Sequence, residues 1–290
     1  MFKNDCHSYK NDPPPRLDRL SALLQGVAPR VEVCAPTDRP ASLTQPSGEQ
    51  ALNLYLIVEG GIGFGTAPGQ CLTIDAPAVI VCRTDLPHVI EADPVRGLRG
   101  LLSAKAFLDG PVGALLLAEF AAAISISLRN TDDSLQHVVS LIATELQAPR
   151  CGHAALLNRA GDILFIGLLR HLIAQPAMPG GLFNALSDPR IARTLVAIHA
   201  RPQENWTLET LAAEAGMSRT AFANAFRKAM HRTPGKYLGT LRLAIAQEAV
   251  QAGHGLKHAA RLSGYMSSSA LSRALSRCRR PIGTDAPRRK

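Results

Sequence analysis

The side chains from Trp206 to Lys228 that could do chemistry are neither paired acids nor a nucleophile with its base. They are guanidinium, ammonium, hydroxyl and amide groups: Arg219, Thr220, Asn224, Arg227 and Lys228. At helical spacing these lie opposite Phe222 and Phe226, which stand four residues apart and anchor such a helix to a core. Cationic groups neutralise phosphate, and a primary amide can pair with a base edge, so this chemistry suits a nucleic-acid groove. The bland alternative is a solvated polar face on one of two packed helices.

The neighbouring residues are those needed to hold that face outward. Thr207 is placed to cap a short helix whose Leu208 and Leu211 turn inward, and Ala212 is small where a second helix must cross. Gly216 supplies a left-handed turn residue and Ser218 caps the next helix. A short helix, a glycine turn and a capped, polar-faced helix are what the major groove accepts. Ala260–Leu275 repeats the pattern, with Gly264, the serine run Ser267–Ser269 and anchors Leu271 and Leu275. The two glycines lie 48 residues apart, separated by a helix expected over Thr233–Ala252. Two readers on such a spacer can occupy successive major-groove faces roughly 34 Å apart.

Charge is divided in the same way. Residues 188–290 hold 18 Lys and Arg against 6 Asp and Glu, whereas residues 1–187 hold 14 against 17. The second part is therefore a concentrated cation suited to an anionic partner. At 290 residues, 46% apolar and 19% charged, the chain is long enough for two domains with real cores. No apolar run reaches the roughly 18–20 residues of a membrane span, and Met1–Arg16 has no apolar secretory core, so a cytoplasmic protein without membrane contact is expected. Six cysteines without a C-x-x-C pair argue against a zinc ribbon or a disulfide framework.

The expected organisation is a disordered lead-in at 1–15, a first domain at 16–174, a linker at 175–187 and a second domain at 188–286. A short helix at Arg16–Leu24 precedes β-prone runs at Leu52–Val58, Cys71–Ile74, Val79–Cys82 and Val89–Glu91, with turns at Glu59-Gly60-Gly61 and Asp75-Ala76-Pro77. This reads as a small sandwich or barrel. From Gly113 the pattern is helical, clearest at Leu135–Leu146 and Ala154–Ala174. The wide apolar face of the latter either packs on its own domain or forms a dimer surface. The second domain reads as about six helices beginning at the cap Asp188-Pro189.

The last hundred residues resemble the DNA-binding domain of AraC/XylS-type transcriptional regulators. The matching elements are Trp206-Thr-Leu-Glu-x-Leu-Ala, Ala215-Gly-Met-Ser-Arg, Phe222-x-x-x-Phe226-Arg-Lys, Thr233-Pro234-x-x-Tyr237-Leu, Leu241-Arg242-Leu243 and Gly264-Tyr-x-Ser-x-Ser. The first half is similar to that family's cupin-type sensor domain at Val58-Glu-Gly-Gly, Leu72-Thr-Ile and Leu86-Pro-His88. The resemblance implies an α+β two-domain protein: a cupin-like β-barrel with a helical connector, then an all-α double helix-turn-helix domain. It implies a bacterial regulator of transcription that is a homodimer, works with RNA polymerase at an operator in double-stranded DNA, and answers a small-molecule or redox effector. By motif, Thr220, Ala223 and Asn224 take the base-facing positions of the first reader, and Ser269, Ala270 and Arg273 those of the second. Arg219, Arg227, Lys228 and Arg277 take phosphate-contacting positions. The sequence departs from the family at His231, which replaces a glycine, at Leu271 and Leu275, which replace aromatic anchors, and in the tail from Arg279.

Cupin folds also host metal-dependent enzymes, so such an enzyme fused to a DNA-binding module is the alternative. Those sites need several histidines and an acid, and only His88 stands in the corresponding region, so no catalysis, metal or cofactor is expected. Cys82 and His88 can meet across the barrel, but two ligands do not close a metal site. His254 and His258, four apart, can bind metal only adventitiously. Cys34 falls where redox-responsive relatives carry a thiol, which makes Cys34, Cys82 and His88 the sensor candidates. The Pro-Cys-His-Arg site of alkyl-repair proteins is absent from the sequence, and a nonspecific nucleoid protein needs no ordered pair of readers.

Overall fold

The computed structural model describes residues 18–27, 29–34, 42–44, 49–66, 70–129, 131–175 and 181–279. The expectations for 1–15, for Cys6 and for the tail beyond Arg279 lie outside these residues.

Helix α1, Arg19–Gln25, begins at Asp18, whose side chain accepts from the Ser21 amide. Eight antiparallel strands follow: β1 Arg30–Val33, β2 Ser42–Thr44, β3 Ala51–Gly65, β4 Cys71–Asp75, β5 Ala78–Arg83, β6 His88–Ala92, β7 Leu98–Phe107 and β8 Ile124–Ser127. One sheet has the order β1-β7-β3-β5-β8. The far end of β3 leaves it to pair with β4 and β6. The turn expected at Glu59-Gly60-Gly61 is thus a change of partners inside one strand. The first part of β3 pairs with β5 and β7, and Gly60, at φ 91°, lets it bend into the second sheet.

Alternation along β3 divides the barrel core. Leu52, Leu54 and Leu56 join the large cluster under the helices, while Tyr55 and Ile57 turn to a smaller one with Ile62, Ile80, Cys82 and Ile90 between the sheets. Strand β8 falls where a continuous helical pattern is expected. Ile126 is buried between exposed Ser125 and Ser127, so it follows the two-residue period of a strand, and its register places Ile124 opposite Val81.

Helices α2 (Gly113–Leu117), α3 (Asp133–Gln147) and α4 (His153–Ala174) complete the first domain, with a 3-10 turn at Ala118–Phe120. Asp132 caps α3, and buried Glu145 accepts from the Arg150 amide and guanidinium at the α3–α4 turn. On α4, Leu157, Leu164, Phe165 and Leu168 are buried, each contributing about 1.5–3 kcal/mol. Asn158 and Asp162 accept the amides of Val33 and Val31 at 2.8 Å. The helix thereby satisfies the open edge of β1.

The stretch expected as a linker contains helix α5, Leu182–Ser187, which buries Leu182, Phe183, Ala185 and Leu186. Its apolar residues follow helical spacing, too short a run to stand out from a Pro- and Gly-rich stretch. Six more helices follow among the described residues: α6 Pro189–Ala200, α7 Leu208–Glu214, α8 Arg219–Met230, α9 Pro234–Gln251, α10 Leu256–Ser263 and α11 Ser268–Arg279. Asp188, Thr207, Ser218 and Thr233 each cap their helix through the side chain. One buried cluster runs from the sheet through α4, α5 and α6 into α7 and α8.

Candidate DNA-reading surface and sensor core

In the first reader, Leu211 and Ala212 of α7 are buried, Leu208 is half-buried, and Thr207 and Thr210 form a reciprocal capping box. Gly216, at φ 64°, makes the turn in the left-handed region that favours glycine. Helix α8 then buries Phe222 and Phe226 completely, with ring centroids 5.6 Å apart, and Phe226 meets Tyr237 of α9 edge-on. With that side fixed, Arg219, Thr220, Asn224, Arg227 and Lys228 are exposed and Ala223 is half-buried. Arg219 pairs with Glu209 of α7 at 2.9 Å, an exposed bridge that a phosphate can replace. Helix α8 ends at His231, held at φ 52° where the family pattern has glycine. A non-glycine residue there costs roughly 1–2 kcal/mol.

The second reader repeats the geometry on a smaller core. Ser267 caps α11 by accepting the Ala270 amide at 3.1 Å, and Gly264, at φ 75°, ends α10. Ser269, Arg273 and Arg277 are exposed, Ala270 is half-buried, Leu271 is buried and Leu275 is half-buried. Ala246, Ala249, Ala259, Ala260 and Leu271 form a buried cluster separate from the main core, with half-buried Val250, Tyr265 and Leu275 packed against it.

In the sensor core, His88 is buried and its Nε2 lies 2.7 Å from the Tyr55 hydroxyl. Its Nδ1 lies 2.9 Å from the Leu86 carbonyl, an acceptor only, so Nδ1 carries the proton and Nε2 accepts from Tyr55. Burial holds this imidazole below its ordinary pKa and therefore neutral. Cys82 does meet His88, Sγ to Nδ1 at 3.9 Å, and burial pushes its thiol up to about 12. A thiol so shifted is a poor nucleophile. Cys34 is exposed, with its thiol raised by desolvation and lowered in part by Lys105. It follows β1, three strand positions from Cys82 on β5 across β7 and β3. At about 4.8 Å per strand that is roughly 14 Å, too far for a disulfide.

Tyr55 and Asn53 complete this polar island and were not among the sequence candidates. Asn53 stands opposite Cys82 in the strand register and is 6% exposed; its Nδ2 makes no bond of good geometry, though it sits close enough to the Cys82 sulfur to offset part of the effect of burial there. The signal for both was the polar phase of Leu52-Asn-Leu-Tyr-Leu-Ile. Among the described residues, no three His, Cys, Asp or Glu side chains gather to hold a metal, and no helix is long and apolar enough to cross a membrane. The rings of His254 and His258 lie tilted by 35° with centroids 4.7 Å apart.

A barrel backed by helices and joined to two glycine-turned helix pairs defines a class: helix-turn-helix regulators that carry a β-barrel domain. A cupin family model matches residues 18–174 and a helix-turn-helix domain model matches 211–279. The HTH-type transcriptional regulator AlkR of Acinetobacter baylyi is 32% identical over 260 residues, covering 79% of this chain and 85% of AlkR. RclR of Escherichia coli, an RCS-specific HTH-type transcriptional activator, is 28% identical over 242 residues, covering 80% of this chain and 83% of RclR. Among solved structures, the AdpA DNA-binding domain with target DNA is 30% identical and covers 32% of this chain and 96% of that domain, with a TM-score of 0.27. The chain belongs to the AraC-like transcriptional regulators with an N-terminal cupin domain, and its helix-turn-helix domain binds DNA.

Proposed function

We propose that this regulator reads a specific operator through α8 and α11, and that a signal received by the cupin domain sets its DNA binding or activation. The observation that carries the reading is the two-sidedness of α8. Phe222 and Phe226 are fully buried, while Thr220, Asn224, Arg227 and Lys228 are presented together on the exposed side. Thr220, Ala223 and Asn224 contact bases, as do Ser269, Ala270 and Arg273. Arg219, Arg227, Lys228 and Arg277 contact phosphates, which position without specifying.

The signal is a small molecule or an oxidant. The polar island supports the first, since an Asn53 amide without a bond of good geometry in an apolar core is a donor that a ligand's oxygen can satisfy. Of the two candidate thiols, Cys34 is exposed to an oxidant, and Cys82 is buried and acts with His88 as part of the lining. The protein is a cytoplasmic homodimer that acts with RNA polymerase and catalyses no reaction. Exposed Leu141 on α3 and Ile163 on α4 support the dimer.

The test is selection of duplexes from a random pool by the full chain, followed by titration in salt. A recurring sequence bound with affinity that falls by orders of magnitude between about 50 and 200 mM salt is expected. Binding without sequence preference, or with a flat salt response, overturns the reading.

A further inference from the structure

Three parts of the DNA-binding domain meet at one side chain. Arg242 is carried on the spacer helix α9, and its guanidinium donates from Nε to the Pro202 carbonyl at 2.8 Å and from Nη2 to the Glu204 carbonyl at 2.6 Å. Both carbonyls belong to the loop between α6 and α7, immediately before the first reader. That loop is itself braced. Trp206 donates from Nε1 to the Arg201 carbonyl at 2.8 Å, and Arg201 pairs with Glu204 and Glu214 at 3.3 and 3.2 Å. Against the same guanidinium lies the turn of the second reader. A Cβ placed on Gly264 would stand 2.7 Å from Gln203 Cα and 3.1 Å from Arg242 Nε.

We propose that Arg242 is a positioning residue for DNA recognition: it ties the loop before the first reader to the turn of the second, and so sets the register of α8 and α11 on the duplex. The second reader's buried core is four alanines and Leu271, held to α9 through Ala246 and Ala249, with half-buried Val250, Tyr265 and Leu275 packed against it. Small side chains pack closely but bury little area, so rotation of the α10–α11 pair about α9 is weakly opposed. A planar guanidinium that bonds two carbonyls opposes it strongly, because its donors hold a fixed fork geometry. Gly264 belongs to the same device, since any side chain there would push against the Gln203 backbone and drive the loop and the turn apart.

The inference rests on the two-reader function proposed above, and two readouts keep their failures separate. The first needs no DNA: hydrogen exchange on the full chain. Arg242→Ala is expected to speed exchange across 256–276 while leaving 208–230 as in the parent. Unchanged exchange across 256–276 overturns the clamp whatever the DNA result. The second readout uses the selected duplex with one to five base pairs inserted between its two half-sites. The parent chain is expected to lose affinity steeply with each insertion. Arg242→Ala is expected to bind the first half-site normally, to lose about tenfold on the intact site, and to vary little with spacing. Arg242→Lys keeps the charge but reaches one carbonyl, so an intermediate profile is expected. Should Arg242→Ala fail to fold, Gly264→Ala is expected to flatten the spacing profile in the same way. Variants that keep the parent's spacing dependence overturn the clamp. Failure of the parent to select any site counts against the two-reader function, and hydrogen exchange then decides the clamp by itself.

Discussion

Asn224 and Arg227 stand three residues apart on the exposed side of α8, but their chemistry differs. An amide can both donate to and accept from adenine, a pairing worth about 1–3 kcal/mol of discrimination. Asn224→Ala is therefore expected to erase the preference at one base pair while binding to random duplex persists. Arg227→Ala is expected to weaken all sequences evenly and to shallow the salt slope by about one phosphate. Competition binding against single-base operator variants distinguishes the two. A second residue-scale effect follows from His199. It is half-buried on α6, its Nε2 lies 2.6 Å from the Tyr237 hydroxyl, and desolvation lowers its pKa to about 4. The unfolded chain takes up this proton near pH 6.5 and the folded chain only near 4, so stability falls as pH drops through that window. The loss is on the order of 2–3 kcal/mol by pH 4. Denaturant melts of the parent and His199→Gln at pH 7 and pH 5 are expected to show the gap between pH values shrink in the variant. The same gap in both assigns the acid sensitivity elsewhere.

Among the elements, the two readers share a turn and a cap but not a core. Phe222 and Phe226 join the cluster that continues into the first domain, while Leu271 closes one made otherwise of alanines. The area lost between phenylalanine and leucine is worth about 1 kcal/mol per anchor. Amide exchange in the free chain is thus expected to be faster across 268–277 than across 219–230, and operator mutations under the first reader are expected to cost more. Equal protection with equal penalties defeats this expectation. These elements were legible in the sequence because helix caps are local. Asp188, Thr207, Ser218 and Thr233 each bond within their own first turn. Strands β3 to β6 were legible as β-prone runs between turns, whereas β1, β2 and β7 were not among the expected runs. Three further features escaped because their cause is distant in sequence. Strand β8 exists through its pairing with β5 some 45 residues earlier. The bend of β3 at Gly60 reads locally as a turn. Arg242 takes its role from carbonyls about 40 residues away.

At the scale of the molecule, the cupin domain does not hang from the DNA-binding domain by a bare linker; α5 is the part they share. Glu119, in the 3-10 turn after α2, accepts the backbone amides of Leu182 and Phe183 at the start of α5, and Phe120 meets Phe183 edge-on with centroids 5.8 Å apart. From the other side, the Gly181 amide donates to the Ala229 carbonyl at 2.8 Å, and Asn184 reaches the same carbonyl at 3.4 Å, both at the end of α8. Arg19 of α1 adds a bond to the Leu186 carbonyl at 2.7 Å. A cleft of about 640 Å³ opens beside this junction, lined by Glu119, Ile124, Met230, His231 and Arg232. Burial raises the Glu119 carboxyl above its ordinary range, and the two amides and Arg232 offset that only in part. Glu119→Ala leaves two amides of α5 unsatisfied, at about 1–3 kcal/mol for a buried donor. A side chain on Gly181, at φ 99°, would collide with the same carboxylate. The parent chain, whose buried cluster is continuous, is expected to melt in one transition and either variant in two, the cupin domain apart from the DNA-binding domain. Either change is expected to blunt any response of DNA binding to the proposed signal while basal affinity for the selected site stays within a few fold. Calorimetry of the parent and of Glu119→Ala decides it. A single unshifted transition in the variant would show that α5 is held by its apolar face alone and that Glu119 does not join the domains.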